Sequence, residues 1–224
     1  MQFKLASVDS IIIYFGNEIN QNIAQKVKRA YLGLKELNLD GIIEMIPSYT
    51  SILITYDIFT YDYKSIQKQL KKSINLEGKE TNDAKVVSID VYYGTEVGLD
   101  LENMSVCTKL SIDEIIEIHS SVLYDVYAIG FLPGFAYLAS VDERIAQPRL
   151  SSPRKKIPKG SIAIADTQTA VYPQDSPGGW NIIGQTTREL FDKKLDTLSP
   201  LSVGNKVKFN PISKSEFIKQ GGVL

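Results

Sequence analysis

A chain of 224 residues with 43% hydrophobic side chains carries enough apolar mass for one large core or two modest ones, which excludes a disordered protein. Its 25 basic and 26 acidic side chains leave a formal charge of -1, so no global field draws it to nucleic acid or to an anionic membrane. The single cysteine, Cys107, excludes an internal disulfide, and the apolar run from Ile11 to Phe15 is too short for a signal-peptide core or a membrane span; the chain is expected to be cytoplasmic.

The amino-terminal part alternates strand and helix. Ser10 to Phe15 (SIIIYF) predicts a buried strand ended by Gly16. From Asn20 to Leu39 the apolar residues Ile23, Val27, Ala30, Leu34 and Leu37 recur with a helical period, Lys and Glu fill the other face, and Gly41 is expected to stop the helix. Ile42 to Pro47 and Ser51 to Tyr56 read as a hairpin around a Ser-Tyr-Thr-Ser turn. Asp62 to Ile74 predicts a second helix with Ile66 and Leu70 inward; a polar loop from Leu76 to Lys85 then leads to a strand over Val86 to Tyr92. This β-α-β-β-α-β order is the ferredoxin-like split pattern, so residues 1–95 are expected to form a small ferredoxin-like domain in a protein of α+β class.

Two short helices follow, Asp100 to Lys109 and Ser111 to Ser121, the second opening with a Ser111 and Glu114 capping box. Beyond Leu123 helical periodicity disappears. Short β-rich pieces (Val126 to Phe131, Ser161 to Ile164, Asn181 to Gly184, Lys206 to Phe209) alternate with turns, which predicts a closed or sandwiched antiparallel β domain over residues 96–224. The boundary between the two domains falls near Tyr92 to Gly98.

The stretch from Gly130 to Thr186 is the most constrained in the chain. Six of the nine prolines (Pro133, Pro148, Pro153, Pro158, Pro173, Pro177) lie there with paired glycines, the only tryptophan (Trp180) and two arginines that each follow a proline, Arg149 and Arg154. Proline fixes φ and glycine permits φ > 0, so this density describes turns held in particular shapes, and such loops carry binding or chemistry. A pocket is expected among them.

Each candidate has a functional and a purely architectural reading. His119, the only histidine, shares a helical face with Ile112, Ile115 and Ile116; it is either a general acid/base or a satisfied core histidine. Arg149 and Arg154 suit bidentate capture of a carboxylate or phosphate, or else tie loop to barrel through a salt bridge. Lys155, Lys156 and Lys159 read as a solvated basic turn. Ser176-Pro177-Gly178-Gly179-Trp180 either presents backbone amides to an oxyanion beside a flat aromatic wall, or forms a sharp β-corner with Trp180 in the core. Asp125, Asp142, Asp166 and Asp175 form no catalytic pair. One His and one Cys give no metal-ligand spacing, and no phosphate-loop or dinucleotide-fingerprint motif occurs.

Taken in order, GFLPGFAYL, PRLSSPR, KGSIAIADTQTAVYP, SPGGWNIIGQT and the closing KVKFNPI resemble the B subunit of the prokaryotic ATP-dependent 5-oxoprolinase, a family also known as allophanate hydrolase subunit 1, as a sporulation-kinase inhibitor and as carboxyltransferase subdomain C and D. The resemblance runs essentially end to end. It implies a small α/β domain followed by a cyclophilin-like β-barrel, use of ATP by a complex, partner subunits A and C, and alternatively a histidine kinase as partner or allophanate as substrate. It carries over His119, Arg149 and Arg154 as catalytic candidates, and Phe131, Pro133, Gly134, Phe135, Tyr137, Gln168, Tyr172, Ser176, Gly178, Gly179 and Trp180 as site positions. One departure is visible: Val203-Gly204-Asn205 stands where the family commonly has Pro-Gly-Asp, and the Asn205 side chain is expected to hold a similar turn.

Overall fold

A computed structural model describes residues 1–76, 84–194 and 197–224, and the chain divides into two compact units, Met1–Asp83 and Ala84–Leu224. The loop expected over Leu76 to Lys85 falls, for 77–83, outside the described residues.

In the first unit, β1 (Gln2–Ser7), β2 (Ser10–Tyr14), β3 (Ile42–Pro47) and β4 (Ser51–Tyr56) form one sheet in the order β1-β2-β4-β3, antiparallel throughout. Helices α1 (Gln21–Leu37) and α2 (Tyr63–Ser73) supply Val27, Ala30, Leu34, Ile66 and Leu70 to a core shared with Ile11, Ile13, Ile52, Ile54 and Tyr56. Both helices start where a side chain satisfies an orphan amide: Asn20 accepts from the Ile23 N–H, and Asp62 and Ser65 cap each other. Asn38, rather than Gly41, takes the left-handed position that ends α1, because the asparagine side chain tolerates positive φ.

Two expectations are corrected here. The strand over Val86–Val91 (β5) does not close the first sheet; it pairs in parallel with β13 (Lys206–Pro211), and its inward residues Val87, Ile89 and Val91 belong to the second unit's core. The edge that the split pattern reserves for it, beside the first strand, is filled by β1. The boundary between units therefore lies at 83/84, not at 95/96, and the first unit runs β-β-α-β-β-α.

The second unit is built on a seven-stranded sheet. Its remaining strands are β6 (Leu123–Ile129), β7 (Ala136–Ala139), β9 (Ser161–Ala165), β10 (Gln168–Val171) and β12 (Asn181–Gln185), in the order β12-β9-β10-β7-β6-β13-β5; a separate ribbon pairs β8 (Arg154–Ile157) with β11 (Ser176–Gly178). Tyr92, just past β5, exchanges two 2.9 Å backbone hydrogen bonds with Gln185 at the end of β12, so the two ends of the sheet meet and it closes into a barrel. The β5–β13 pair makes this barrel mixed rather than wholly antiparallel. Helices α3 (Leu101–Thr108) and α4 (Ile112–Ser121) match their expected spans, and the Ser111–Glu114 capping box is formed. A further helix, α5 (Lys214–Lys219), follows the last strand, against the expectation of no helix beyond Leu123; it buries only Phe217, too little for a periodic signal. At the substituted family turn, Ser202 N–H donates to the Asn205 side chain at 2.9 Å, as expected of that asparagine.

Strand alternation splits the second unit's apolar residues between two layers. Ile162, Ile164, Val171, Leu138 and Ile183 face a large core that includes Leu101, Met104, Ile115 and Ile118 of α3 and α4. Their sequence neighbours Ala163, Ala165, Ala170 and Ile182 face the other way, with Phe135, Ile157, Tyr172 and Trp180. The turn-rich segment supplies this second, aromatic layer.

Candidate functional site

The aromatic layer is centred on Phe135, whose ring meets Tyr137, Phe131, Tyr172 and Trp180 edge-to-face at centroid distances of 4.9, 5.4, 5.2 and 5.7 Å. Phe135, Tyr172 and Trp180 are buried, Tyr137 is half-buried, and Phe131 stands 62% exposed at the edge. The loop that carries Phe131 is closed by hydrogen bonds from Gly130 N–H to the Phe135 carbonyl and from Phe135 N–H to the Leu132 carbonyl. Gly134 makes that closure possible: it lies at φ +81, and a β-carbon there would sit 2.3 Å from the Leu190 carbonyl oxygen. Pro133 is exposed in the same loop.

Arg149 is exposed, and its guanidinium carbon lies 5.6 Å from the Trp180 ring centre, a cation–π stack. Its backbone is fixed on both sides by the segment that carries that tryptophan: Asn181 donates from Nδ2 to the Pro148 carbonyl at 2.9 Å, and Leu150 N–H donates to the Gly179 carbonyl at 2.7 Å. Asn181 also reaches the Ile164 carbonyl at 3.1 Å. Sequence reasoning misses this buried asparagine, although a lone amide among Trp180, Ile182 and Ile183 is itself a signal, since a buried amide must find partners. Among the described residues Arg149 has no ion-pair partner. Burial pushes the Tyr172 hydroxyl up to about 12 and raises Tyr137, while the positive charge of Arg149 pulls both back.

Arg154 behaves differently. Its guanidinium holds Asp100 in a two-point fork, Nη1 to Oδ2 at 2.9 Å and Nη2 to Oδ1 at 2.8 Å, and Asp100 Oδ2 also accepts the Ile182 N–H at 2.7 Å. Asp100 is only 5% exposed. The pair ties the start of α3 to β8 and β12, so Arg154 is occupied by a structural carboxylate and is corrected from a substrate clamp to a tie.

His119 is 0% exposed, with both ring nitrogens engaged: Nδ1 lies 2.8 Å from the Tyr93 hydroxyl and Nε2 lies 2.9 Å from Thr169 Oγ1. Thr169 spends its own proton on the Ala163 carbonyl at 3.1 Å, so it accepts from Nε2–H, and Nδ1 is left to accept from Tyr93. The ring stacks on Phe209 at 4.8 Å, and burial lowers its pKa to about 3. The structure thus places His119 as a neutral core histidine, away from solvent; its partners, Tyr93 and Thr169, carry no signal in the sequence.

The glycine corner is packed. A β-carbon on Gly178 would lie 2.4 Å from the Tyr172 hydroxyl and 2.7 Å from Ile157 Cδ1, so the corner is closed on that side by those two side chains. Gln168 shares the strand face of Ala170 and Tyr172 but stands four residues before Tyr172, about 13 Å along the strand. Lys156 and Lys159 are exposed and pair with Asp175 and Glu189. Ser176 lies opposite Ile157 in the ribbon, hence on the aromatic side, and its buried hydroxyl has no hydrogen-bond partner among the described residues. An unpaired buried hydroxyl costs about 1–3 kcal/mol. Ser176→Ala is therefore expected to leave the melting temperature unchanged or raise it by a few degrees, as a thermal melt followed by Trp180 fluorescence will show; a clear drop would assign the hydroxyl a partner.

The family model described as the carboxyltransferase domain, subdomain C and D, matches residues 1–201. The chain belongs to this family. Within it, the chain is 38% identical over 228 residues to the B subunit of the Bacillus subtilis 5-oxoprolinase, an alignment that covers 96% of this chain and 95% of that protein. The B subunit of the Haemophilus influenzae 5-oxoprolinase is 36% identical over 75% of this chain and 78% of its own length. Among solved structures, TTHA0988 superposes with a TM-score of 0.82 at 29% identity over 92% of this chain; the chain spans 40% of that longer polypeptide. The matched family model and the two 5-oxoprolinase B subunits agree with the resemblance read from the motifs, and the aromatic layer with Arg149 is built from those same motifs.

Proposed function

We propose that this chain is the B subunit of an ATP-dependent 5-oxoprolinase, the complex that opens the lactam of 5-oxo-L-proline to L-glutamate, and that it works with subunits A and C in the cytoplasm and is inactive without them. The relatives named as B subunits of 5-oxoprolinase support the assignment. The observation that carries the site is Arg149: an exposed guanidinium stacked on Trp180, on a backbone fixed at Pro148 by Asn181 and at Leu150 by Gly179, with no carboxylate of the described residues to neutralise it. Such a group suits the single carboxylate of 5-oxoproline, and the accessible rings of the aromatic layer, half-buried Tyr137 and exposed Phe131, suit an uncharged ring. Buried Phe135, Tyr172 and Trp180 support that layer from within, and Pro133, Gly134, Gly178 and Gly179 hold its turns.

ATP supplies the driving force for opening an unreactive lactam. No nucleotide-phosphate site is assigned among the described residues: the amino termini of α1, α2 and α4 are closed by Asn20, by Asp62 and by Ser111 with Glu114, and α3 starts at the Asp100 carboxylate, which Arg154 holds. No nucleotide step is therefore assigned to this chain, whose part is to bind and orient the carboxylate-bearing ring.

The test is glutamate and ADP formation from 5-oxo-L-proline and ATP by the three subunits mixed together, each omitted in turn. Coupled turnover that vanishes without this chain is expected; an assembled complex that does not turn over would sink the assignment and favour docking on a histidine kinase. In the active complex, Arg149→Ala is expected to raise KM for 5-oxo-L-proline about 10- to 100-fold, since a hydrogen-bonded pair with a charged group is worth about 1.5–3 kcal/mol. Arg149→Lys should recover part of the loss, because an ammonium keeps the charge but not the fork. An unchanged KM in both variants would remove Arg149 from the site.

A further inference from the structure

Arg149 owes its place over Trp180 to a register. The segment from Gln147 to Leu150 runs beside the residues around Trp180: Pro148 is joined to Asn181 and Leu150 to Gly179, so Arg149 stands directly opposite Trp180. Residues opposite each other across two extended segments bring their side chains to the same side, within reach of long and aromatic groups. The 5.6 Å stack of the guanidinium on the indole is the result. A third bond, from Asp166 N–H to the Gln147 carbonyl at 2.6 Å, ties the same segment to the turn between β9 and β10.

Two of the three ties are main-chain bonds and depend on no side chain. The one at Pro148 does. Proline has no N–H, so its main chain can be hydrogen-bonded only through its carbonyl, and the group that reaches it is the Asn181 carboxamide. Asn181 is 3% exposed, and its Nδ2 serves two acceptors at once, the Pro148 carbonyl at 2.9 Å and the Ile164 carbonyl at 3.1 Å. Both protons of one nitrogen are thus engaged, and they bridge β9 to the residue before Arg149. Aspartate in that place has no proton to give, and alanine has no polar group at all.

Resting on the oxoprolinase reading for the ligand, we propose that Asn181 is a positioning residue for the Arg149 site: without touching substrate, its carboxamide fixes Pro148 and so keeps the guanidinium over Trp180, where it receives the substrate carboxylate. Arg149 binds; Asn181 holds it in the binding place.

Trp180 is the only tryptophan, so its emission reports the stack directly. Full chains carrying Arg149→Ala, Asn181→Ala, Asn181→Asp, or Arg149→Ala with Asn181→Ala are compared with wild type by emission maximum, acrylamide quenching and melting temperature, and their assembled three-subunit complexes by KM and kcat for 5-oxo-L-proline. Ile162→Val, a packing change in the large core, is the control for lost stability. Both Asn181 variants are expected to shift the emission to the red and to raise quenching as far as Arg149→Ala does, with nothing added in the double variant, since all uncover the same ring face. In the complex each should raise KM about tenfold with kcat within about twofold, an ångström of misplacement costing up to about 100-fold. Ile162→Val should lower the melting temperature and move neither reading. Emission unchanged in the Asn181 variants, an Arg149→Ala spectrum like that of wild type, shifts that add in the double variant, an unmoved KM in an active complex, or loss of the fold in both Asn181 variants each overturns the proposal, the last by making Asn181 a residue of the core alone. Any of these with an active wild-type complex leaves the oxoprolinase reading standing; a wild-type complex without turnover overturns that reading, and the emission series then decides on its own whether Asn181 sets the stack.

Discussion

Arg154→Ala is expected to lower the unfolding free energy of the second unit by about 3 kcal/mol or more, since it strips a nearly buried carboxylate of its counter-charge. Asp100 has 7% of its side chain exposed and Arg154 28%, so the aspartate cannot turn to water when the arginine is removed. It would keep only the Ile182 N–H. The converse change costs less: Asp100→Asn still offers an oxygen to that amide, and the partly exposed guanidinium can be hydrated. The double variant Arg154→Met with Asp100→Asn removes both charges and should recover most of the loss, a non-additivity that a double-mutant cycle in urea, read by Trp180 fluorescence, measures directly. A single Arg154→Ala variant within about 1 kcal/mol of wild type would break the argument. Activity separates the tie from a clamp. A double variant that is stable and keeps its KM for 5-oxo-L-proline confirms that Arg154 serves the fold; a stable one that no longer binds substrate returns it to the site.

Why one Pro-Arg is a tie and the other a free cation is not written locally. Both arginines follow proline in turn-rich sequence, and what separates them is Asp100, placed 54 residues before Arg154 by the close of β8 on α3. Long-range partners account for most of what the sequence withholds. β5 has an alternating pattern that any sheet would accept; only its partner β13, beginning at Lys206 some 120 positions later, assigns it to the barrel. Strand β1 exposes nearly every residue along Gln2–Ser7, so it lacks the period-two signal, and β7, β8, β10 and β11 are three or four residues long, too short for any period. By contrast α1, α2 and α4 are legible because both signals are local: an apolar stripe at helical spacing and a capping side chain one turn away.

The site is legible in its parts and not in its grouping. Proline and glycine density marks the segment that builds the aromatic layer, and Phe131, Phe135, Tyr137, Tyr172, Trp180 and Arg149 do come together. The same density says nothing of Asn181, which fixes Pro148 beside Trp180 from within an apolar strand. Nor can it say that the Tyr172 hydroxyl fills the space beside Gly178, because the way the chain folds back between the end of β10 and β11 is set by the pairing of β11 with β8.

His119 gives the largest pH-dependent effect. With its folded pKa at about 3 and an ordinary value of 6.5, the imidazole is neutral when folded and takes up a proton on unfolding throughout the interval between. The sign follows: the contribution is fully present above pH 6.5 and is lost as pH falls from 6.5 toward about 3. The slope is about 1.4 kcal/mol per pH unit, so wild type should lose about 2 kcal/mol of stability between pH 7.5 and 5.0 from this group. The chain has no other histidine. Carboxylates whose pKa is lowered to about 2, such as Glu96 by hydrogen bonding to Lys214 and Asp142 by hydrogen bonding to Arg144, lose their contribution only below that window. His119→Ala should cost about 3 kcal/mol at pH 7.5, through the cavity beside Phe209 and the unpaired Tyr93 hydroxyl. It should also flatten the dependence, so that the gap to wild type shrinks to about 1 kcal/mol at pH 5.0. Urea titrations followed by Trp180 fluorescence at the two pH values decide it: equal pH slopes in the two proteins would mean that the histidine takes up its proton as readily in the fold as in the unfolded chain, and that burial among Tyr93, Thr169 and Phe209 does not hold it neutral.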